Sequence, residues 1–418
     1  MIQNILESQK TELERKLNEL YIRREVEIKG LATDLINVII GPRRAGKSFF
    51  CIHTLGGGPE KVGYVNFDEE RLLHVKDFDQ IIHAIRVVYG NPGILLFDEI
   101  QNVERWEIIV NRLHREGFKL VLTGSNSHLL LSDLATHLTG RHFATYLFPF
   151  SFRETMSMHS PNADATEKAQ HCLDYIKKGG FPEIHTKNYQ PGDYLSTLFD
   201  SVILKDIVKR HRLRSPGALI DLAQVLVTNM TGEFSVPSIS KNANFGSTHT
   251  ASKYLGYLEE SFLFFSVPRF SYKMQEQKKF NKKIYCYDNG YFLSKAFTFS
   301  SNLGKLLENA VAVELKRKET EGSLKLFYYR NQAKEEVDFV VQHDMKITTL
   351  IQVCYSIAEN KVKNREIRAL INSGHELSCK RLVVITQDYE QIENHSWFGK
   401  TAEIEFIPLW KWLLADLQ

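Results

Sequence analysis

A glycine-rich run of eight residues places the strongest constraint on how this chain can fold. The run consists of Gly41, Pro42, Arg43, Arg44, Ala45, Gly46, Lys47 and Ser48. An apolar, strand-like segment at 35–40 precedes it, and residues 49–52 can continue as a helix. Glycines allow a backbone to wrap closely around oxygen anions, and the N-terminus of the following helix adds partial positive charge. This order of strand, loop and helix predicts a phosphate-binding loop (P-loop) in an α/β fold with a parallel sheet.

The side chains at the end of this loop have the chemistry that a nucleoside triphosphate requires. Lys47 is expected to reach the β- and γ-phosphates, and the Ser48 hydroxyl is expected to hold Mg²⁺. We therefore predict that ATP is bound by residues 41–48 together with Phe49. The alternative is a glycine turn that binds no ligand.

A second strand ends in two acids, Asp98 and Glu99, after the apolar segment 93–97. Because a buried strand delivers its last residues to the edge of the sheet, Asp98 is expected to bind Mg²⁺ opposite Ser48. Glu99 is then placed to polarise an attacking water molecule as a general base. Apolar strands often end in acids, so the motif gains its weight from its place after the phosphate-binding loop.

Two further residues are candidates for the catalytic set, which otherwise consists of Lys47 and Glu99. The strand at 119–126 ends in Asn126, which is expected to touch the γ-phosphate or the attacking water; the alternative is a polar turn between strand and helix. Arg141 follows Gly140 and is a candidate arginine finger, acting in cis or on a neighbouring subunit. An ordinary solvated turn residue remains the alternative for Arg141.

Composition excludes several other classes of protein. The 418 residues are 43% hydrophobic and 25% charged with a net charge of +3, as in an ordinary soluble globular chain and unlike a polycation. The five cysteines show no paired spacing, so neither a zinc site nor a disulfide framework is indicated and a reducing cytoplasm is expected. No signal-peptide pattern and no apolar run of bilayer length is present, so we expect no membrane role.

Taken together, these motifs resemble a prokaryotic family of AAA-type ATPases that carry a C-terminal domain of unknown function. The likeness extends over nearly the whole chain. The matching stretches are 41–48, 98–101, 122–125, 138–141, 149–154, 179–183, 205–207, 306–309 and 336–339. The resemblance implies an ATP-binding core, a winged-helix domain and a C-terminal domain similar to the restriction-endonuclease fold.

Short apolar strands alternate with helical segments from about residue 30 to 150, which predicts a parallel sheet covered by helices on both faces. The rest of the chain divides by its pattern of helices, strands and turns. The predicted parts are the N-terminal segment 1–29 with an amphipathic helix over 5–28, the P-loop core 30–150, a helical connector 151–214, the winged-helix domain 215–295 and the restriction-endonuclease-like domain 296–418. The last part is expected to contain a helix, three strands, a second helix and one further strand.

A helix-turn-helix pattern supports the winged-helix prediction. Residues 234–243 form a short helix, 244–246 a turn with Gly246, and 247–258 a second helix. The segments 263–270 and 282–287 would form the strands of the wing.

The region 205–283 is also basic, with thirteen Lys and Arg residues against six Asp and Glu residues. Such an excess can neutralise DNA phosphates. The candidate DNA contacts are Thr248, His249, Thr250 and Lys253 on the second helix, and Lys273, Lys278, Lys279, Lys282 and Lys283 near the wing. The alternative is a solvated surface, or a unit that acts as a lever or docks a protein partner.

Metal-dependent cleavage by the C-terminal domain would require clustered acids and a lysine. Glu308, Glu336 and Asp338 are the candidate acids. On the next strand, Gln352 stands where a further acid is expected and Cys354 where the lysine is expected. We therefore predict a domain kept for structure or recognition; Lys361 or Lys363 would have to move in to restore the lysine.

Three hypotheses about function remain open. The leading one is an ATP-hydrolysing molecular switch that couples nucleotide state to the winged-helix and C-terminal domains, acting on or near DNA. The second is a Mg²⁺-dependent DNA nuclease with a regulatory ATPase, and the third is a DNA- or protein-binding module that holds ATP without hydrolysing it. The sequence leaves the oligomeric state open.

Overall fold

The computed structural model describes residues 1–57, 61–75, 77–125, 140–159, 162–187, 189–214, 216–296, 302–355 and 360–415. The chain forms two compact units. The first is Met1–Pro149 with Glu260–Phe262, and the second is Phe150–Glu259 with Leu263–Gln418. Within the described ranges, every helix is too short or too polar to cross a bilayer.

The first unit contains a five-stranded parallel sheet, which confirms the α/β prediction for the core. Its strands are β1 (Ile36–Ile40), β2 (Val62–Asn66), β3 (Ile94–Asp98), β4 (Lys119–Gly124) and β5 (His142–Tyr146). They lie in the order β2-β3-β4-β1-β5, and every neighbouring pair is parallel. The central strands are buried along most of their length because their apolar residues face helices on both sides of the sheet.

The helices of this unit begin with one that precedes the sheet. They are α1 (Ile2–Leu17), α2 (Lys47–Gly56), α3 (Glu70–Leu73), α4 (Asp79–Tyr89) and α5 (Trp106–Arg115), with a 3₁₀ turn at Ile100–Asn102. The amphipathic pattern predicted a first helix over 5–28, and this was wrong at both ends. Helix α1 ends at Leu17, and the following segment runs in irregular conformation so that Arg24 and Ile28 are buried.

The second unit begins with helices, as the sequence predicts for 151–214. These are α6 (Phe152–Met156), α7 (Ala165–Lys178), α8 (Pro182–Thr186) and α9 (Pro191–Ser201), and α9 continues as a π-helix over Val202–Lys209. The next helices are α10 (Gly217–Thr228), α11 (Val236–Asn242), α12 (Thr248–Glu260), α13 (Met274–Lys279) and α14 (Asn289–Lys295).

A small antiparallel sheet accompanies helices α10–α14. Its strands are β6 (Glu233–Phe234), β7 (Phe264–Pro268) and β8 (Lys282–Cys286), in the order β6-β8-β7. Helices α11 and α12 correspond to the two helices predicted from the sequence, and the Ser247 hydroxyl accepts a hydrogen bond from the backbone N–H of His249 at 3.2 Å. The elements of this region follow the order helix α10, strand β6, helices α11 and α12, strand β7, helix α13, strand β8 and helix α14. A short helix therefore lies between the two strands predicted for the wing.

The C-terminal part of the second unit contains a six-stranded mixed sheet in the order β13-β14-β12-β11-β10-β9. Its elements are α15 (Leu303–Thr320), β9 (Lys325–Arg330), β10 (Glu336–His343), β11 (Lys346–Cys354), α16 (Asn360–Glu376), β12 (Arg381–Thr386), β13 (Gln391–Trp397), β14 (Lys400–Pro408) and α17 (Leu409–Leu414). Strands β9, β10 and β11 are antiparallel, whereas β11, β12 and β14 are parallel. The sequence predicted one strand after α16; the structure adds the antiparallel pair β13–β14.

Asp288 joins two turns inside the second unit. Its carboxylate accepts backbone N–H hydrogen bonds from Gly180 at 2.6 Å and from Gly290 at 2.8 Å. A Cβ atom at Gly179 would lie 1.9 Å from this carboxylate, so the approach requires glycine. Burial raises the pKa of Asp288 to about 6.

We expect Asp288→Asn to destabilise the second unit, because the amide replaces one of the two acceptor oxygens with a donor. The expected loss is about 1–3 kcal/mol of unfolding free energy near pH 4.5. Since the pKa of Asp288 is raised on folding, its ionisation removes stability from the wild type as the pH rises through about 6. The difference between the two proteins should therefore shrink toward pH 8 in denaturant unfolding; a difference independent of pH would contradict this account.

Candidate nucleotide site

The loop at 41–48 folds between β1 and α2 with its glycines in the positions that need them. Gly46 has a φ of 91° and is the N-cap of α2, a left-handed conformation that favours glycine. A Cβ atom at Gly41 would lie 2.0 Å from the carbonyl oxygen of Leu147, so this turn also excludes a side chain. The backbone therefore has the curvature that the sequence predicted for a phosphate-binding loop.

Lys47 points into this loop, and its side chain is buried. Its ammonium donates hydrogen bonds of 3.0 Å to the carbonyl oxygens of Gly41 and Pro42, and it lies 3.8 Å from a carboxylate oxygen of Glu99. From the sequence we expected a head group that is solvated or bound to phosphate and not packed; in the structure Lys47 is 5% exposed and packs against protein oxygens. A buried ammonium requires several acceptors, and the loop carbonyls and Glu99 supply them.

Asp98 lies at the end of β3, buried and surrounded by hydroxyl donors. The Tyr64 hydroxyl donates to Asp98 Oδ2 at 3.2 Å, and the Thr123 hydroxyl donates to Oδ1. Ser48 also hydrogen-bonds to this carboxylate. Burial and the nearby Glu99 raise the pKa of Asp98, whereas the hydrogen bonds from Ser48 and Thr123 act in the opposite direction. The structure thus brings together the two residues predicted to hold Mg²⁺.

Glu99 adopts a strained backbone conformation directly after β3. Its φ of 53° and ψ of 43° are left-handed, which is uncommon for a residue with a side chain and is found at functional sites. Its backbone N–H donates to the Thr123 hydroxyl at 3.1 Å. Its carboxylate accepts hydrogen bonds from the hydroxyl of Ser125 at 3.2 Å and from the amide of Gln101. The carboxylate is therefore held in one orientation beside Lys47.

The sheet order explains why these residues meet. Strand β4 lies between β1 and β3, so Thr123 and Ser125 at its carboxyl end stand between the loop after β1 and the acids after β3. Ligands of open parallel sheets bind at this carboxyl edge. The order of the strands in space is the information that turns separate motifs into one site.

Two groups beside the loop were not singled out from the sequence. Arg24 is buried and donates hydrogen bonds to the carbonyl oxygens of Ala45 at 3.0 Å and of Phe148 at 2.6 Å, so it supports the loop from the segment before β1. Tyr21 stacks on His53 with ring centroids 4.3 Å apart, and Phe49 lies 4.7 Å from the same ring. An arginine and a tyrosine shortly before a strand are common in protein sequences, so the sequence did not reveal that Arg24 supports the loop or that Tyr21 stacks on His53.

The remaining predicted site residues lie at different places. Arg43 is half-buried in the loop, whereas Arg44 is exposed and has a φ of 67°. Arg141 is exposed just before β5, where its carbonyl oxygen accepts a hydrogen bond from Ile36 N–H at 3.0 Å. Asn126 lies outside the described residues. The catalytic roles of Arg141 and Asn126 thus stay predictions.

Comparison with known proteins agrees with this geometry. The family model of an AAA domain matches residues 33–156, and models of two domains of unknown function match residues 169–300 and 303–412. Two solved structures also match, a DNA replication initiation factor and PCH-2 of C. elegans, at 15% and 20% identity. The match with the initiation factor covers 60% of this chain and 87% of that structure, with a TM-score of 0.22. The match with PCH-2 covers 61% of this chain and 68% of that structure, with a TM-score of 0.23. Both TM-scores are too low to carry an argument.

Two relatives match this chain over almost its full length. The uncharacterized protein MJ1544 of Methanocaldococcus jannaschii is 33% identical over 413 residues, which cover 94% of this chain and 91% of that protein. An uncharacterized protein of Haemophilus influenzae is 31% identical over 418 residues, which cover 95% and 98% respectively. This chain therefore belongs to the protein family of MJ1544, and it carries an AAA-type ATPase domain followed by two domains of unknown function.

Proposed function

We propose that the AAA domain binds ATP with Mg²⁺ and hydrolyses it, and that the nucleotide state acts as a switch for the second unit. The observation that carries this proposal is the convergence of Lys47, Asp98 and Glu99 around the loop. Lys47 lies 3.8 Å from Glu99, and Ser48 and Thr123 hold Asp98. A glycine turn without a ligand would not require a buried acid, a half-buried acid and a buried ammonium at one edge of a sheet.

Each of these side chains has a definite part in the proposed reaction. The Lys47 ammonium exchanges its loop carbonyl partners for phosphate oxygens, which are stronger acceptors because they are charged. Ser48 and Asp98 present a hydroxyl and a carboxylate, the oxygen ligands that Mg²⁺ prefers, and they would hold the ion. When bound, Mg²⁺ neutralises the charge that develops on the phosphates. Glu99 takes the proton of the attacking water, and Ser125 and Gln101 keep its carboxylate oriented.

The second unit is proposed to act on or near DNA through a winged-helix domain. The element order from α10 to β8 supports this assignment. Thr248, His249 and Lys253 are exposed on the first turns of α12, where base edges could be contacted. The basic wing is smaller than the sequence predicted, because Lys283 is only 3% exposed and points away from solvent.

The C-terminal part is proposed to be a restriction-endonuclease-like domain that does not cleave DNA. The succession α15, three antiparallel strands, α16 and a parallel strand supports the assignment. Gln352 hydrogen-bonds to Glu366 and to the backbone of Asp338, and Cys354 is buried, so neither supplies the chemistry of the residue it replaces. The side chains of Lys361 and Lys363 lie outside the described residues.

One observation favours the nuclease hypothesis, since Glu308, Glu336 and Asp338 surround a single point. Their shared neighbour is Lys283, at 2.7–3.0 Å from each carboxylate. Plasmid nicking with Mg²⁺ or Mn²⁺ that survives Lys47→Ala but is lost in Asp338→Ala would support that hypothesis over the switch.

The proposed switch is tested by measuring phosphate release from ATP with Mg²⁺, with EDTA, and with Mg²⁺ plus duplex or single-stranded DNA. We expect turnover that requires Mg²⁺ and that changes when DNA is added. Turnover that does not change when DNA is added would support the proposed ATPase activity and contradict the proposed DNA partner. ATP binding without turnover under every condition would instead identify a module that holds ATP without hydrolysing it.

A further inference from the structure

A buried lysine occupies the centre of the carboxylate cluster in the second unit. Lys283 belongs to β8 of the small sheet, whereas Glu308 lies on α15 and Glu336 and Asp338 lie on β10 of the large sheet. Its Nζ atom is 2.7 Å from Glu336, 3.0 Å from Glu308 and 3.0 Å from Asp338. An ammonium has three N–H donors, and here one carboxylate oxygen is available for each of them.

The carboxylates are fixed independently of the lysine. The Tyr285 hydroxyl donates to Glu308 at 2.8 Å, and the backbone N–H of Val353 donates to Asp338 Oδ2 at 3.0 Å. The guanidinium of Arg330 lies 3.4 Å from Glu336. Because these partners hold the oxygens in place, the cluster is a preformed set of hard oxygen ligands around one cation.

The charge of Lys283 is secured by the same neighbours. Its buried ammonium lies within hydrogen-bond distance of three carboxylates, the arrangement that compensates for the burial of a charge. A divalent metal bound to these oxygens would have to lie about 2.0–2.6 Å from them. That position overlaps the ammonium, so the lysine and a metal ion exclude each other.

We propose that Lys283 is a built-in cation that closes this cluster to divalent metal, an autoinhibitory contact made by the small sheet on the large one. Two further hydrogen bonds join the segment after β7 to β9. The Arg269 guanidinium donates to the carbonyl oxygen of Arg330, and the backbone N–H of Phe270 donates to the carbonyl oxygen of Tyr328 at 2.7 Å. A cleft of about 430 Å³ lies beside the cluster, so a metal ion from solvent could reach it once the lysine is removed. The inference does not depend on ATP binding.

The test is Mn²⁺ binding to the full-length, nucleotide-free protein, followed by electron paramagnetic resonance. We expect no Asp338-dependent binding in the wild type up to the highest Mn²⁺ concentration used. In Lys283→Ala we expect an Asp338-dependent site with a dissociation constant at least about 100-fold below that concentration, because the competing charge is gone. The double variant Lys283→Ala with Asp338→Asn should lose this gain. Lys283→Arg retains a cation and should resemble the wild type, as should the control Lys325→Ala, whose side chain is exposed.

Two results would overturn the proposal. One is Mn²⁺ binding to the wild type that Asp338→Asn removes, since metal and lysine would then coexist. The other is a folded Lys283→Ala protein that gains no Asp338-dependent site. If the alanine variant does not fold, Lys283→Gln provides an uncharged side chain of similar length, and the wild-type measurement decides the question by itself.

Discussion

Replacing Glu99 with glutamine is expected to lower the rate of ATP hydrolysis by about 10²–10⁴-fold while ATP binding is retained. The amide has the size of the carboxylate and can still accept a hydrogen bond from Ser125, but it cannot take the proton of the attacking water. Lys47 is unchanged in this variant and would still bind the phosphate oxygens. Steady-state phosphate release and equilibrium binding of a fluorescent ATP analogue measure the two effects separately.

The matched control is Glu104→Gln, which makes the same chemical change at an exposed position five residues further along the chain. This variant should hydrolyse ATP at the wild-type rate. If Glu99→Gln also retained the wild-type rate, Glu99 would not be the general base and the proposed mechanism would be wrong.

The second large effect is expected from Lys47→Ala, which should weaken ATP binding by about 100-fold or more. The buried ammonium that would contact the phosphates is lost. The variant also leaves the carbonyl oxygens of Gly41 and Pro42 without this donor, which we expect to cost about 1–3 kcal/mol of unfolding free energy. Binding is therefore measured below the melting temperature of the variant.

Lys29→Ala provides the control, because Lys29 lies in the same unit with an exposed side chain. It should bind ATP as the wild type does. Normal ATP affinity in a folded Lys47→Ala protein would show that residues 41–48 do not bind the triphosphate.

The elements of the nucleotide site could be predicted from the sequence because their signals are local. An apolar strand before Gly41 and another before Asp98 are each visible in a few consecutive residues. The spatial order of the strands is not local, so the contributions of Thr123 and Tyr64 to the environment of Asp98 could not be derived. The roles assigned to Lys47, Ser48, Asp98 and Glu99 remain predictions that the variants above examine.

Lys283 shows why the C-terminal cluster was harder to predict. From the sequence, the lysine was expected on β11 at the position of Cys354. This position lies two residues after Gln352, and residues two apart on a strand face the same side. The structure brings a lysine from β8, a strand in a different sheet, and no spacing rule connects the two. In the sequence, Lys283 belongs to a run of basic residues and therefore resembled part of a solvated wing.

Strand β13 was missed for a different reason. Its seven residues are mostly polar, and most of them are exposed, so they lack the apolar alternation by which a half-buried strand is recognised. The strand exists because it pairs antiparallel with β14 at the margin of the sheet. Pairing between backbones leaves little trace in side-chain composition.

Arg24 has a practical consequence for anyone who wishes to express the AAA domain by itself. A fragment trimmed to the matched range 33–156 would lack the guanidinium that holds the Ala45 and Phe148 carbonyls. It would also lack Gln9, whose amide pairs with the backbone of Asn66 at the end of β2. Weak ATP binding by such a fragment would be explained by the loss of these supporting contacts and would not contradict ATP binding by the full-length protein.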